Sequence, residues 1–215
     1  VSIIGLAVGF TCFALSVLWI RYEMTYDTFH KGAERIYMVR AHYTDIPEHI
    51  SNSTPYPLAA YLQEKMPEIE AKATTSIHQN VKIRMENDEY EVVMAAADSA
   101  FMNFFHIQLL KGTVNFLKEN NPEIAVTEEF AKKLFGSEDD ALGKEMEVNG
   151  RSRQIGAIVS GWSRHSNIPY SVLVAARHSP RWKSGPEQLF IRVRAGMDMD
   201  CLLYTSPSPR DRTRS

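Results

Sequence analysis

The opening of this chain, VSIIGLAVGFTCFALSVLWI from Val1 to Ile20, limits what it can fold into more than any other stretch. It carries no charged residue, and eleven of its twenty residues are Val, Ile, Leu or Phe. As a helix it would be about 30 Å long, the thickness of a bilayer's hydrocarbon core. At roughly −0.3 to −0.6 kcal/mol for each large apolar side chain, insertion is favoured by about 5 kcal/mol before Gly, Ser and Thr offset part of it. The core helix of a soluble protein keeps a polar face, and this run has none. Residues 1–20 are therefore expected to form a transmembrane helix.

Gly5, Gly9, Cys12 and Ser16 follow one another at spacings of four, three and four, so small residues share one face of that helix. Gly5 and Gly9 form the GxxxG pattern that lets two helix backbones approach closely in lipid. Small residues are also simply frequent in such helices, and the spacing leaves both readings open. A cleaved signal peptide fits less well, because the apolar run is too long and no small-x-small site precedes Arg21. The chain begins at Val1 without an initiator Met, so a cytoplasmic flank is expected upstream and the positive-inside rule has nothing to act on.

The rest of the chain suits one or two domains, and with 23% charged residues the chain as a whole has an ordinary globular composition. A net charge of −2 supplies no basic footprint for nucleic acid. The two cysteines, Cys12 and Cys201, lie in the apolar run and near the C-terminus, which leaves no disulfide scaffold or thiolate metal site between them.

Beyond the run, Trp19, Tyr22 and Tyr26 are placed to sit at the lipid headgroup level. Residues Glu34 to Thr44 alternate as a strand, apolar on both sides in the first half. The residues Glu23, Tyr26, Asp27, Phe29, His30, Ala33, Arg35, Ile36, Tyr37 and Val39 follow the apolar helix directly. In that context they closely resemble the start of the MacB-like periplasmic core domain of FtsX-like ABC transporter permeases, especially the Bacteroidetes-type versions.

The remaining elements read in order. Pro55 or Pro57 starts a helix with Leu58, Tyr61 and Leu62 on its buried face, and Pro67 ends it. Ile69 to Ile77 reads as a strand, and Val81 to Ala95 as a hairpin turning at Asn87-Asp88. Asp98 or Ser99 caps a short helix beside the apolar cluster Phe101, Phe104, Phe105, Ile107, Leu109 and Leu110. Ile124 to Val126 forms a strand leading into Thr127, which caps a helix opened by Glu128 and Glu129 and ended by Gly136. Met146 to Val148 and Gln154 to Val159 pair across Asn149-Gly150, and Leu189 to Val193 forms a late strand. The resemblance extends through the Pro-x-x-Leu helix, the double Phe, the Phe-Gly and Leu-Gly-Lys run, and the Ser166-Asn167-Ile168-Pro169 loop. Residues 201–215, CLLYTSPSPRDRTRS, break the pattern. They resemble a translated sequencing-adapter remnant, with a disordered Ser/Pro/Arg tail as the other reading.

No catalytic constellation is visible. None of the seven His forms an HxxxH or HExxH pair, and His42 and His49 stand seven apart without metal-ligand geometry. No GxxxxGK loop or Gly-x-Ser-x-Gly elbow is present. Glu138-Asp139-Asp140 lacks the alternating oxygens of a calcium loop and reads as a solvated helix-exit loop.

The expected fold class is α+β: one N-terminal transmembrane helix, then a two-subdomain mixed periplasmic domain over residues 21–200, its second subdomain at about 95–170. The resemblance implies a fragment of a permease subunit in the bacterial inner membrane. Its implied partners are a cytoplasmic ABC ATPase that hydrolyses ATP, a second permease copy forming a dimer, and in some systems a periplasmic adaptor and an outer-membrane channel. No cofactor is implied. Glu23, Tyr26, Asp27, Phe29, His30, Arg35 and Tyr37 would join anchor to domain or transmit force, while Gly5, Gly9, Cys12 and Ser16 would pack helices. The alternatives are a membrane-anchored periplasmic sensor, an anchored periplasmic enzyme, and a pilin-like subunit, which would carry Glu where this chain has Gly5.

Overall fold

The computed structural model describes residues 3–24, 32–42, 50–85, 88–161, 170–178, 181–182 and 187–196. The chain is α+β, with one apolar N-terminal helix ahead of a mixed sheet.

Helix α1 spans Ile3–Met24. It is exposed on every side, Phe10 at 71% and Trp19 at 67%, and is long and apolar enough over Gly5–Tyr22 to cross a membrane. Its two hydroxyls are satisfied within the helix: Thr11 Oγ1 donates to the Ala7 carbonyl and Ser16 Oγ to that of Cys12, each at 2.8 Å. This back-bonding is what a polar side chain needs where no water is available.

After α1 come β1 (Ile36–Val39), β2 (Ala41–His42), β3 (Ile50–Ser51), α2 (Tyr56–Lys65), β4 (Ile69–Met85) and β5 (Asp88–Ala97). Next are α3 (Phe101–Phe104), β6 (Leu109–Gly112), β7 (Ile124–Thr127), α4 (Glu128–Phe135) and α5 (Glu138–Ala141). The last are β8 (Glu145–Val148), β9 (Arg151–Val159), β10 (Val172–Ala175) and β11 (Gln188–Val193). Among the described residues nine strands form one sheet in the order β1-β11-β4-β5-β10-β7-β9-β6, with β8 bridging β4 and β9. The pairings of β4, β5, β10, β7, β9 and β8 return to β4, so these six strands close a ring.

Alternation along these strands sorts the core into two faces. Val81, Ile83, Val126, Met146, Val148, Ile155 and Val172 meet inside the ring, with Phe130 and Ala131 of α4 and Ala141 of α5. The other face is lined by small residues, Ala73, Ala95, Ala97, Ala125 and Ala157, and receives Phe101, Phe104, Phe105 and Phe116. A sheet face kept low by alanines leaves room for four bulky rings, the volume matching that close packing demands. A third cluster joins Ala59 of α2 to Ile69, Leu189, Ile191 and Val193.

Several expectations hold in detail. Thr127 Oγ1 accepts from the Phe130 amide at 3.3 Å, capping α4, and Gly136 ends it at φ 81°. Asn149 (φ 49°) and Gly150 (φ 76°) make the turn between β8 and β9, both in the left-handed region that a two-residue hairpin loop requires.

Others are corrected. The strand expected over Glu34 to Thr44 is split among the described residues, Ile36–Val39 pairing with β11 and Ala41–His42 with β3, because Ala33–Arg35 form a 3-10 turn and Arg40 interrupts the ladder. Ile69 to Ile77 and the first arm of the hairpin are one strand, β4, bent by an irregularity between His78 and Val81 where Asn80 has φ 53°. Asp88, expected in the hairpin turn, is already in the ladder, paired with Met85. Neither Asp98 nor Ser99 is the cap of α3; Ala100 holds that position. Strand β9 starts at Arg151, not Gln154. Glu138–Ala141 is a helical turn, not a loop, since Ser137 Oγ accepts from the Asp140 amide at 3.1 Å. Tyr26, Asp27, Phe29, His30, His49, Ser166 to Pro169 and residues 201–215 lie outside the described residues.

Candidate functional site

The chain enters its sheet through Gly32, at φ 77°, and the 3-10 turn Ala33–Arg35. Arg35 ties three elements together there. Its Nη1 pairs with Glu70 Oε2 at 3.0 Å and reaches the Val193 carbonyl at 3.4 Å. The Tyr37 hydroxyl donates to the Glu34 carbonyl at 3.2 Å, closing the turn on itself. These two members of the sequence motif thus fix β1 against the start of β4 and the end of β11. Glu23 lies in the last turn of α1.

The four small residues of α1 are exposed along the helix, and a Cβ added at Gly9 would meet nothing within 4 Å. They are open to a partner helix, and no described element of this chain covers them.

A cleft of about 500 Å³ opens beside α2, lined by Tyr56, Asp98, Ser99, Lys118, Glu119 and His178 among others. The Tyr56 and His178 rings stack with centroids 3.8 Å apart and planes 11° from parallel. Behind them Glu187 is 4% exposed; its Oε1 lies 3.2 Å from His178 Nδ1, and its Oε2 is buried without a partner. The backbone carbonyl of Glu187 accepts from both the amide (2.7 Å) and the hydroxyl (3.1 Å) of Thr54. Burial pushes the Tyr56 phenol above its ordinary pKa, and the nearby carboxylates of Asp98, Glu187 and Glu119 push it further. Asp98 is committed to the fold: Oδ2 accepts from the Thr74 amide (2.7 Å) and hydroxyl (2.9 Å), Oδ1 from the Ala100 amide (3.0 Å). The arrangement locks the segment before α2 to the segment before β11, with His178 Nδ1 facing Glu187 Oε1 across that lock. Sequence reasoning missed it. Thr54 and Tyr56 lie more than a hundred residues from His178 and Glu187, and no local pattern marks Glu187.

Among the described residues no three His, Cys, Asp or Glu converge on a metal position. Lys111, near Asp139 (2.7 Å) and Glu138 (3.7 Å), and Lys132, near Glu138 (3.1 Å), instead engage the acidic run by ion pairs.

Residues 1–202, from the apolar helix through the last strand, match the family described as the MacB-like periplasmic core domain. The chain belongs to that family. It is similar in fold to a domain of a protein described as a permease from Porphyromonas gingivalis, with a TM-score of 0.69, 23% identity, and 82% of this chain and 80% of that one covered. It is also similar to the periplasmic region of MacB from Actinobacillus actinomycetemcomitans, at TM-score 0.55 and 12% identity over 79% of this chain and 78% of that one. A third likeness, at TM-score 0.55 and 11% identity over 75% and 83%, is to the extracellular domain of YknZ, a noncanonic ABC-type transporter from Gram-positive bacteria. No curated protein matches the chain significantly in sequence. Membership of the MacB-like family places the chain among periplasmic domains of ABC transporter permeases.

Proposed function

We propose that this chain is part of a permease subunit whose periplasmic domain couples ATP hydrolysis on a partner ATPase to export or extrusion of a substrate. The observation that carries this reading is the family match over residues 1–202, which takes in the apolar helix as well as the domain behind it. In this reading α1 crosses the bacterial inner membrane and its Gly5, Gly9, Cys12 and Ser16 face packs against another helix, within one copy or between two. A cytoplasmic ABC ATPase and a second permease copy are the necessary partners; a periplasmic adaptor and an outer-membrane channel are the further ones.

The domain is proposed to work as two subdomains, the second covering about residues 95–170. That stretch supplies β7, β8, β9, α4 and α5, one side of the six-stranded ring, while β1, β11 and α2 belong to the part nearest the anchor. The motif residues Glu23, Tyr26, Asp27, Phe29, His30, Arg35 and Tyr37 would pass helix movement to the sheet, and the Arg35 contacts to β4 and β11 give that role a physical path.

The test combines topology and coupling. An alkaline phosphatase fusion after residue 196 should be active, and the permease should co-purify with an ATPase whose hydrolysis it alters. An inactive fusion, or a permease that neither binds nor affects an ATPase, overturns the reading.

A further inference from the structure

A second cleft, of about 340 Å³, opens at the rim of the six-stranded ring, lined by Ser76, His78, Ala96, Val174, Arg151, Arg153 and Arg177 among others. Strand register fixes which way these residues point. Arg153 stands opposite Met146 and Arg151 opposite Val148, and both partners belong to the apolar cluster inside the ring. Directly opposed residues share a sheet face, so the two arginines occupy inward positions. On the far side His78 is opposite Met94, which is opposite Val172 of the same cluster. Ser76, Ala96 and Val174 form the next cross-strand row and make the floor.

The ring is thus closed by α4 and α5 packing on its apolar cluster, while this rim is cationic. Three guanidiniums and an imidazole line it, and among the described residues no carboxylate does. The carboxylates of neighbouring β8 are turned elsewhere. Glu147 pairs with Arg84 at 3.7 Å and Glu145 accepts from Ser152 Oγ at 2.9 Å. Among the described residues, the side chains of Arg151, Arg153 and Arg177 form no hydrogen bond or ion pair. Like charges gathered without a counter-charge repel one another, and a ladder needs no arginine at inward positions that valine or isoleucine would fill.

The geometry points to a binding site for a phosphate group at this rim, carried on a phosphorylated lipid headgroup or free as a soluble anion. A single carboxylate would answer one guanidinium. A phosphate ester brings about −1.5 to −2 charges and three acceptor oxygens, which suits several forked donors at once. The site borders the Tyr56 cleft at Ala176 but shares no charged residue with it, and it does not depend on the transport reading.

The test is titration calorimetry of the full chain in an uncharged maltoside detergent, with inorganic phosphate as probe. Saturable binding is expected, weakened about tenfold or more by Arg151→Gln with Arg153→Gln, a loss of about 1.4 kcal/mol or more. Lys65→Gln with Lys133→Gln removes the same charge elsewhere and should leave binding unchanged. If the arginine pair variant loses its circular dichroism signature, Arg177→Gln, in the exposed segment after β10, takes its place and should still weaken binding. Dihexanoyl phosphatidate distinguishes the sources: tighter binding than inorganic phosphate assigns a lipid headgroup, weaker binding a soluble anion. An intact chain that binds neither probe, or equal weakening by the lysine pair, overturns the site.

Discussion

Asp98 offers the sharpest check on how this fold is held together. Its carboxylate accepts three hydrogen bonds, two of them from Thr74 on the adjoining strand. Thr74 is 2% exposed, so after Asp98→Ala neither its amide nor its hydroxyl has water to turn to. Each buried donor left unpaired costs about 1–3 kcal/mol, whereas the exposed Ala100 amide recovers most of its loss from solvent. Asp98→Ala is therefore expected to cost about 3–5 kcal/mol. Asp98→Asn keeps one oxygen for Thr74 but sets an amide NH2 against the Ala100 N–H, for a loss of about 1–2 kcal/mol. Urea unfolding of the chain in detergent, followed by far-ultraviolet circular dichroism and extrapolated linearly, reads both values. If Asp98→Ala falls within 1 kcal/mol of the parent, or Asn is as damaging as Ala, the clamp does not carry the role given to it.

Three further perturbations test other parts. A Cβ at Gly112, where φ is +83°, would stand 2.1 Å from the Gly156 carbonyl oxygen, whereas one at Gly143, at φ +81°, would meet nothing within 4 Å. Gly112→Ala should cost about 2–4 kcal/mol and Gly143→Ala about 1 kcal/mol in the same urea assay; equal losses would mean the β6–β9 contact is not tight. Burial raises the Tyr170 phenol above its ordinary value of about 10, so its contribution to stability is complete below that pH and is lost as pH rises through the folded-state value. The urea midpoint should fall in alkali, and Tyr170→Phe should flatten that fall; an unchanged slope refutes it. Replacing Gly5 and Gly9 with Leu in the intact permease should weaken its assembly on native gels, and unchanged assembly and transport would remove the packing role from that face.

What the sequence made legible follows the range of the forces involved. Helix α1, the Thr127 cap and the Asn149-Gly150 turn depend on residues a few positions apart, and each appears where its chemistry predicts. The continuity of β4 was hidden, because Asn80 reads as a break until β5 is seen to pair on both sides of it. Arg151 and Arg153 look like solvated charge beyond a turn, although with Ile155 they follow the period-two pattern of a strand whose inner face changes from cationic to apolar. The Glu187 lock had no local signal at all; its partners Thr54 and His178 reach it only after the sheet has closed.

Strand β4 also bears on how the domain could do mechanical work. Its first half pairs with β11, which pairs with β1, the first strand after α1, and its second half is a wall of the ring. A displacement arriving at β1 therefore has a continuous hydrogen-bonded route to the ring along one strand. The stiffness of that route is uneven. The β1–β11 ladder joins only four residue pairs, while β4 and β5 pair along most of their length. With each backbone hydrogen bond worth a net 0.5–1.5 kcal/mol or about that, the short ladder is where strain would first be felt. Arg35 stands at that point, bonded to Glu70 of β4 and to the Val193 carbonyl of β11. In the proposed permease the family motif then has a mechanical reason to sit where it does: it reinforces the weakest pairing between the moving helix and the ring.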